Sequence, residues 1–165
     1  YVKTSGRLTG YYLASEDQDI VLLGSIGAGY LYNWSGNSIR FVDQFAQGGE
    51  TIRGFQTRGF GPREGNQALG GKTYANATAE VQFPMPGVPR SFGLRGALFA
   101  DGGTLFDSEY TSAATQDTSA FRSSVGASII WDSPFGPLRG DFSHVLTKAS
   151  YDRTQFFRFG VSTRF

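Results

Sequence analysis

The sequence predicts an all-β fold of antiparallel strands, and three observations support this. The chain holds 23 Gly and 15 Phe but only six Pro, one Met and no Cys, a balance that favours strands with close backbone contacts over helices. Polar and apolar residues alternate along most of the chain, and short segments rich in Pro, Gly or charge separate the alternating stretches. At 165 residues the chain fits one domain.

The alternation is clearest at the C-terminal end of the chain. In the segment 154–165, one face carries Phe157, Phe159, Val161, Thr163 and Phe165, and the other carries Arg158, Gly160, Ser162 and Arg164. Side chains that alternate in this way lie on opposite faces of a strand. A polar turn at 147–153 separates this segment from the preceding one, so the last two strands are predicted to form a hairpin.

Seven candidate strands follow from the same pattern, although the first two alternate less cleanly. They cover residues 2–13, 19–32, 72–83, 92–101, 121–131, 138–146 and 154–165. In the middle strands the charged residues fall on one face only, as with Glu80 in one strand and Asp101 in the next. Strands of a soluble sandwich usually hold about 5 or 6 residues, whereas a tilted transmembrane strand needs about 9 to 11. The strand lengths therefore favour a membrane-spanning sheet.

The connections between the strands alternate in length. They are short at 16–18, 84–90 and 132–137, and longer at 33–68, 102–119 and 147–153. Outer-membrane barrels have short periplasmic turns and long extracellular loops, so all the connections fit if the C-terminus is periplasmic. Aromatic residues near the strand ends are predicted to form girdles at the two membrane interfaces. These are Tyr30, Tyr32, Trp34, Phe83, Phe92, Trp131, Phe135 and Phe165.

The seven predicted strands cannot close a bacterial barrel by themselves. Bacterial barrels close with an even number, and an open edge in hydrocarbon leaves backbone groups without hydrogen bonds. Residues 1–165 are therefore interpreted as a fragment of a transmembrane β-barrel, whose other strands come from N-terminal sequence or from another chain. The chain opens inside a patterned segment, which is typical of a processed or truncated piece. Open edge strands would let the fragment self-associate.

Charge and composition argue against several classes of function. The formal net charge is +1 and the charged residues are scattered, so no nucleic-acid partner is predicted. Without cysteine there is no thiol nucleophile and no cysteine-based metal site. The single histidine, His144, falls on the lipid-facing side by alternation, where an interfacial role is expected rather than general-base catalysis. No cofactor is predicted, because Gly70-Gly71-Lys72 lacks the rest of a phosphate loop.

Five stretches together resemble the BamA family, the central subunits of the outer-membrane barrel-assembly machine. In chain order they are GGETIRGFQTRGFGP at 48–62, GGKTYANATAEVQFPMP at 70–86, LRGALFADGGTLFD at 94–107, WDSPFGPLRGDFSH at 131–144 and FFRFGVSTRF at 156–165. A C-terminal aromatic strand is common among outer-membrane barrels, whereas the Arg-Gly-Phe loop narrows the resemblance to this family and its relatives. The resemblance covers essentially the whole chain.

The resemblance implies a barrel of about 16 strands in the bacterial outer membrane, preceded by periplasmic POTRA domains. Residues 1–165 would be the C-terminal part of that barrel, about seven strands with a long loop folded inward. It also implies that the protein folds and inserts other β-barrel proteins, without a catalytic group. The implied partners are outer-membrane lipid, unfolded barrel clients and accessory lipoproteins that bind the periplasmic domains.

In this family the long loop turns back into the barrel lumen through a [VI]-R-G-F motif. The matching residues are Ile52, Arg53, Gly54 and Phe55. The resemblance implies that Arg53 meets acidic residues of the inner wall, which correspond to Glu80 and Asp101. The alternation independently places both carboxylates on the charged face, and an arginine fork can donate to two carboxylates at once. Gly54 would allow close approach to the wall, and Phe55 would fill an apolar recess.

Of two further segments, only the last strand resembles the family. The second triplet, Arg58-Gly59-Phe60, has no matching family motif and is predicted to be a solvated loop. The last strand resembles the family's C-terminal recognition signal, whose positions correspond to Arg158, Gly160, Thr163 and Phe165. Thr163 departs from the usual aromatic or aliphatic residue. In the family the last strand pairs weakly with the first, so that the seam opens and templates an incoming strand, and Gly160 would loosen this strand.

Other functions stay open at this point. A two-partner-secretion translocator of the same superfamily shares the Arg-Gly-Phe loop and conducts a substrate. A barrel hydrolase would need a Ser/His/Asp group, for which His144 is the only histidine. Two Arg-Gly-Phe triplets without a longer tract give little support for RNA binding. For Arg53, a purely stabilising role in which it only pins the loop stays open beside a role in the assembly cycle, and the two are not exclusive.

Overall fold

The computed structural model describes residues 1–161, which consist mainly of strands and loops. In chain order the strands are β1 (Val2–Ser15), β2 (Ile20–Tyr32), β3 (Arg63–Glu64), β4 (Gln67–Ala68), β5 (Thr73–Pro84), β6 (Leu94–Phe106), β7 (Thr115–Gln116), β8 (Arg122–Ser133), β9 (Gly136–Thr147) and β10 (Phe157–Val161). A single-turn 3₁₀-helix, Arg90–Phe92, precedes β6. Within residues 1–161, no helix has the length and apolarity needed to span a membrane.

The main sheet contains seven antiparallel strands in the order β1-β2-β5-β6-β8-β9-β10. Each long strand therefore pairs with the next long strand along the chain, and the seven predicted strands are confirmed. Strand β6 extends to Phe106, beyond the predicted end at Asp101, because Gly102 and Gly103 continue the pairing with both β5 and β8. Strand β10 begins at Phe157 rather than Thr154. Among the described residues, β1 and β10 each pair on one side only, so the sheet is open.

The predicted alternation gives the sheet two chemically different faces. On β6 the buried residues Ala97, Phe99 and Asp101 lie on one face, while Leu98 points to the other and is exposed. We call the face of Asp101 the inner face, and Glu80 of β5 is also buried there. His144 is exposed on the outer face, on the side that alternation predicts. Period-two alternation was sufficient for this assignment because the middle strands are buried on the inner face.

The outer face is apolar and carries aromatic residues near both ends of the strands. The exposed aromatics of the predicted girdles are Tyr30, Tyr32, Trp34, Phe92, Trp131 and Phe135. Phe83 is half-buried, and Phe165 lies outside the described residues. Between the girdles the exposed side chains include Leu8, Ile26, Leu98 and Ile129. This surface is suited to contact with lipid.

The long connections, 33–72, 107–121 and 148–156, all lie at one end of the sheet, which we call the loop end. The short turns, including the two-residue turn between β8 and β9, lie at the opposite end. At the loop end β3 pairs with β4 and with β7, which joins the loop 33–72 to the loop 107–121. These three short strands were not predicted, because two-residue pairings leave no periodic pattern in the sequence.

The apolar core lies between the long loop 33–72 and the inner face of the sheet. It consists of Leu31, Ile39, Phe45, Ile52, Phe55, Phe60 and Leu105, with Tyr74 and Val145 packed against it. Most of the core residues come from the loop rather than from the strands. The loop is therefore the second layer of this fold. It packs on the sheet where other two-layer domains have a second sheet or a layer of helices.

Candidate functional site

The inward-folded part of the loop 33–72 presses two apolar side chains against the inner face. Ile52 and Phe55 are 0% and 1% exposed. The Phe55 ring packs edge-on against Phe60 with 5.1 Å between ring centroids. Phe55 also forms an isolated backbone bridge with Thr154, in the segment that precedes β10. The loop is thus fixed both by burial and by backbone pairing.

Gly54 lies between these two residues, where the backbone comes closest to the wall. Its φ is +96°, a left-handed conformation that is unfavourable for other residues. A Cβ placed on Gly54 would lie 2.9 Å from Cγ2 of Val145 and 3.2 Å from Cβ of Ser143. The carbonyl oxygen of Gly54 accepts a hydrogen bond from the backbone N–H of Gln155 at 2.8 Å. The glycine is required here by both conformation and space.

Arg53 is the charged residue of the loop motif, and it contacts both acidic residues named from the sequence. Its Nε and Nη2 donate to the two carboxylate oxygens of Asp101, each at 2.8 Å. Its Nη1 donates to Glu80, and its backbone N–H donates to Asp101 at 2.9 Å. The guanidinium carbon also lies 3.6 Å from the ring centroid of Phe99. Arg53 therefore joins the loop to β5 and β6 at one point.

The same acidic residues connect to a second arginine, which the sequence-based prediction missed. Arg139 of β9 donates to Glu80 at 2.7 and 3.2 Å and to Asp141 at 2.7 Å. Ser128 donates to Asp141, and Gln82 donates to Glu80 at 2.7 Å. Alternation places Arg139 and Asp141 on the inner face, but their distance from Glu80 depends on how strongly the sheet curves. Sequence alternation alone cannot predict that curvature.

We call these charged residues the ion cluster. Its members are Arg53, Glu80, Asp101, Arg139 and Asp141. Two arginines face three carboxylates, so the ion cluster carries one net negative charge. Burial by itself would lower the pKa of Arg53, but the hydrogen bonds and charges of Asp101 and Glu80 raise that pKa above its ordinary value. The guanidinium consequently stays charged, and its hydrogen bonds attach the loop to the wall.

The second triplet, Arg58-Gly59-Phe60, is not a solvated loop, so that prediction is wrong. Phe60 is 3% exposed and belongs to the apolar core with Phe55. Gly59 is also buried, and its backbone N–H donates to the carbonyl of Gln56 at 2.8 Å. The tight turn formed by residues 56–59 directs Phe60 back into the core, which the composition of the segment did not reveal.

A second buried ion pair lies at the loop end. Arg122 at the start of β8 donates to the two carboxylate oxygens of Asp152 at 2.8 and 3.2 Å, and both side chains are 0% exposed. Arg122 also donates to the carbonyl of Ala120 at 2.9 Å, and Asp152 accepts from the backbone N–H of Ala149 at 2.7 Å. This pair joins the loop 148–156 to the sheet. The local sequence pattern did not predict that either residue would form a buried ion pair.

The residues of the predicted C-terminal signal are only partly described. Arg158 of β10 points to the inner face and donates to Glu50 of the long loop at 2.7 Å. Gly160 is exposed, and a Cβ placed on it would meet no atom within 4 Å. Thr163 and Phe165 lie outside the described residues. The final strand is therefore connected to the long loop through Arg158 as well as through the backbone of the segment before it.

The described residues contain no grouping of three or more His, Cys, Asp or Glu side chains able to hold a metal ion. A cavity of about 420 Å³ lies on the inner face beneath the loop and is lined by the ion cluster together with residues of both edge strands. The edge strands contribute Arg7 and Tyr11 from β1 and Arg158 and Gly160 from β10. The site is thus a charged wall with a buried loop packed on it.

An antiparallel sheet of long strands, apolar outside and charged inside, with a long loop folded onto its inner face, defines part of an outer-membrane β-barrel. The family model of the Omp85 superfamily domain matches residues 1–165. The chain belongs to the Omp85 superfamily.

Similar proteins with assigned roles agree with this family. The outer membrane protein assembly factor BamA of Neorickettsia risticii is 37% identical over 158 residues, which are 94% of this chain and 21% of that protein. BamA of Neisseria meningitidis is 28% identical over 191 residues, covering 100% of this chain and 24% of that protein. The sorting assembly machinery 50 kDa subunit of Saccharomyces cerevisiae is 29% identical over 175 residues, covering 100% of this chain and 36% of that protein. The chain spans about a fifth to about a third of the length of these relatives.

A solved structure shows the same fold. The crystal structure of BamA from Haemophilus ducreyi lacking POTRA domains 1-3 superposes with a TM-score of 0.83 at 21% identity, over 95% of this chain and 34% of that chain. The chain therefore has the same fold as about a third of that structure.

Proposed function

We propose that the chain is the C-terminal part of the barrel of an outer-membrane assembly factor, which folds and inserts β-barrel proteins into the outer membrane. The observation that carries the proposal is the attachment of the long loop to the barrel wall through Arg53, Asp101 and Glu80. The names of the BamA and sorting-assembly relatives support the same role. In this proposal the remaining strands of a barrel of about 16, and periplasmic POTRA domains, belong to the complete protein.

The contacts of the loop with the last described strand indicate how the site would act. The backbone N–H of Gln56 donates to the carbonyl of Arg153 at 3.0 Å, and that of Gln155 donates to the carbonyl of Gly54 at 2.8 Å. Arg158, within β10, is bound to Glu50. The loop thus fixes the entry to β10 while the far edge of β10 has no neighbour among the described residues. A strand held on one side and open on the other is suited to template an incoming strand by edge pairing.

The proposed activity assigns the partners. Unfolded outer-membrane proteins would pair with the open edge, outer-membrane lipid would contact the apolar outer face, and accessory lipoproteins would bind the periplasmic domains of the complete protein. No nucleic acid, cofactor or catalytic group takes part. Residues 1–165 alone are expected not to speed the insertion of a client barrel into liposomes, because only one side of the seam is present.

The test is a pair of charge exchanges in the complete protein, scored by client insertion into liposomes. Asp101 contacts only Arg53 of the ion cluster, whereas Glu80 also contacts Arg139. Exchanging Arg53→Asp with Asp101→Arg should therefore restore part of the insertion that each single substitution removes. Exchanging Arg53→Glu with Glu80→Arg should restore less, because the new arginine would face Arg139.

Two outcomes would contradict the proposal. Full insertion activity in Arg53→Asp, with normal folding, would show that the loop attachment has no part in assembly. If Arg53→Asp left client insertion normal but abolished the export of one cognate protein, the function would be that of a two-partner-secretion translocator instead. In that case the cognate protein should also block the ion conductance of the parent barrel. Heat-modifiable migration of each variant on gels would control for folding.

A further inference from the structure

Three arginines lie together at the loop end without a carboxylate partner. Arg63 of β3 donates through Nη2 to the carbonyl of Arg58 at 2.7 Å and through Nη1 to the carbonyl of Asn66 at 3.2 Å. Arg153 donates to the side-chain oxygen of the same Asn66. We call Arg58, Arg63 and Arg153 the arginine cluster. Within residues 1–161, none of its members makes a salt bridge.

The positive charge of this cluster is not balanced by its surroundings. The acidic group close to it is Asp152, which is already bound to Arg122 by two hydrogen bonds. The pKa of Arg63 is lowered, mainly by burial and then by the like charge of Arg153. Asp152 opposes this shift, and the charge of Arg58 adds to it. Three like charges at one place, partly removed from water, cost free energy unless an anion neutralises them.

Two guanidinium donors in the cluster also have no acceptor. Arg63 is 4% exposed, yet its Nε has no hydrogen-bond partner among the described residues. Nη2 of Arg58 is likewise buried and without a partner there. Buried donors are nearly always hydrogen-bonded, and an unsatisfied charged donor is more costly than a neutral one. Both donors belong to arginines that are already joined through the carbonyl of Arg58.

The geometry points to a binding site for a tetrahedral oxyanion of the phosphate class at the loop end, formed by Arg58, Arg63 and Arg153. Guanidinium forks match phosphate oxygens in geometry and in charge. Arg153 and Asn66 reach the surface, while Arg63 lies beneath them, so the cluster extends from solvent to a buried charge. A phosphate there would offer acceptors to both unpaired donors and would offset the three positive charges. The loop end is expected to be extracellular, where a lipid headgroup or a free phosphate could supply this group.

Titration calorimetry of the complete protein in neutral detergent tests this site. Inorganic phosphate is added at constant ionic strength, with chloride as the reference anion. We expect saturable phosphate binding, and Arg58→Gln or Arg153→Gln should raise the dissociation constant roughly tenfold or more. Arg153→Lys, which keeps the charge, should retain more affinity than Arg153→Gln. Both positions are partly exposed, so the variants should fold, and heat-modifiable migration would verify this.

The matched control is Arg40→Gln, which removes an arginine from the same long loop outside the cluster. The Arg40 side chain is 77% exposed and pairs with Asp43 at 3.0 Å, so phosphate affinity should not change. A second arm compares micelles that contain phosphatidic acid with micelles that contain uncharged diacylglycerol. Binding to phosphatidic acid micelles but not to inorganic phosphate, with the same dependence on Arg58 and Arg153, would identify a lipid headgroup as the ligand. Absence of binding in both arms, or binding that neither substitution weakens, would overturn the inference.

Discussion

Buried arginines in this chain differ in how their charge is satisfied. Arg53 binds Asp101 and Glu80 and shares Glu80 with Arg139, and 12% of its side chain is exposed. Arg122 and Asp152 are fully buried and bind each other with two hydrogen bonds. A buried pair is costly to form but far more costly to break, since breaking it leaves one charge alone in a medium of low dielectric constant. The two sites should therefore respond differently to neutral substitutions.

At Asp152, the neutral and isosteric substitution Asp152→Asn should lower the free energy of unfolding by about 3 to 5 kcal/mol. Arg122 would lose the one ionic partner that it has among residues 1–161 while remaining enclosed. The measurement is urea unfolding of the complete protein in lipid vesicles. Asp43→Asn is the control, because its partner Arg40 is largely exposed, and it should cost less than about 1 kcal/mol. Equal effects of the two substitutions would show that burial does not set the strength of the Arg122 pair.

Gly54 is the second residue whose replacement the structure predicts to be costly. Gly54→Ala should lower the free energy of unfolding by about 2 to 5 kcal/mol, since left-handed strain adds to overpacking against the wall. Gly36, in the same loop, has φ +68°, and a Cβ placed on it would meet no atom within 4 Å. Gly36→Ala therefore isolates the strain and should cost about 1 to 2 kcal/mol. If the two alanine variants were equally stable, the contact of the new methyl group with Val145 would make no contribution to the loss of stability.

At the scale of elements, the local sequence pattern predicts the structure of the long strands but not that of the long loop. The strands follow from alternation, since one face of each is exposed to lipid and the other is not. The loop is irregular, yet it supplies most of the apolar core and is hydrogen-bonded to the segment before β10. Because loop and last strand are joined by several contacts, a change in one should be detectable in the other.

The Glu50–Arg158 pair allows that coupling to be measured through pH. Burial raises the pKa of Glu50, but a backbone hydrogen bond and the charge and hydrogen bond of Arg158 lower it more, so it lies below the ordinary value of 4.5. A lowered folded-state pKa means that the pair stabilises the fold above pH 4.5 and that this contribution is lost as pH falls through the folded-state value. Amide hydrogen exchange in β10 should therefore be faster in Glu50→Gln than in the parent chain at neutral pH.

The same comparison supplies its own control. At a pH below the folded-state pKa of Glu50, the parent and Glu50→Gln should exchange at equal rates in β10, because both side chains are then neutral. The effect is expected to be small, since the Glu50 side chain is 49% exposed and water screens such pairs. No difference at neutral pH would assign the coupling to the backbone contacts alone, and a difference that persisted unchanged at acidic pH would show that it does not arise from the charge of Glu50.

For the whole molecule, the open sheet is the dominant feature. Strands β1 and β10 each have a free edge among the described residues, and β1 is exposed on both faces along nearly its full length. Unpaired backbone groups cannot be left in hydrocarbon. The sheet must therefore find further strands in the membrane, from the same protein or from another copy.

Residues 1–165, prepared alone in neutral detergent, are accordingly expected to self-associate through these edges. Light scattering coupled to size-exclusion chromatography should give a mass of at least two chains per protein–detergent particle. The complete protein, in which the remaining strands are expected to pair with these edges, should be monomeric in the same detergent. A monomeric fragment would contradict the expectation that the edges need a partner strand.

The sequence by itself determined the seven long strands, their order and the face on which their charged residues lie. Glu80 and Asp101 could be placed on the inner face because alternation is a local property that each strand carries independently. The resemblance of the Arg-Gly-Phe loop added Arg53 as their partner. None of these steps required knowledge of how distant strands approach each other in space.

Only the tertiary structure decided which residues meet across the sheet and within the loop. Arg139 reaches Glu80, and Arg122 reaches Asp152, through the curvature of the sheet and the path of the loops. Phe60 is buried because a tight turn reverses the chain after Phe55, which overturned the prediction of a solvated segment. The two arginine contacts join residues far apart in the chain, so they depend on sheet curvature and loop packing and leave no periodic signal in the sequence.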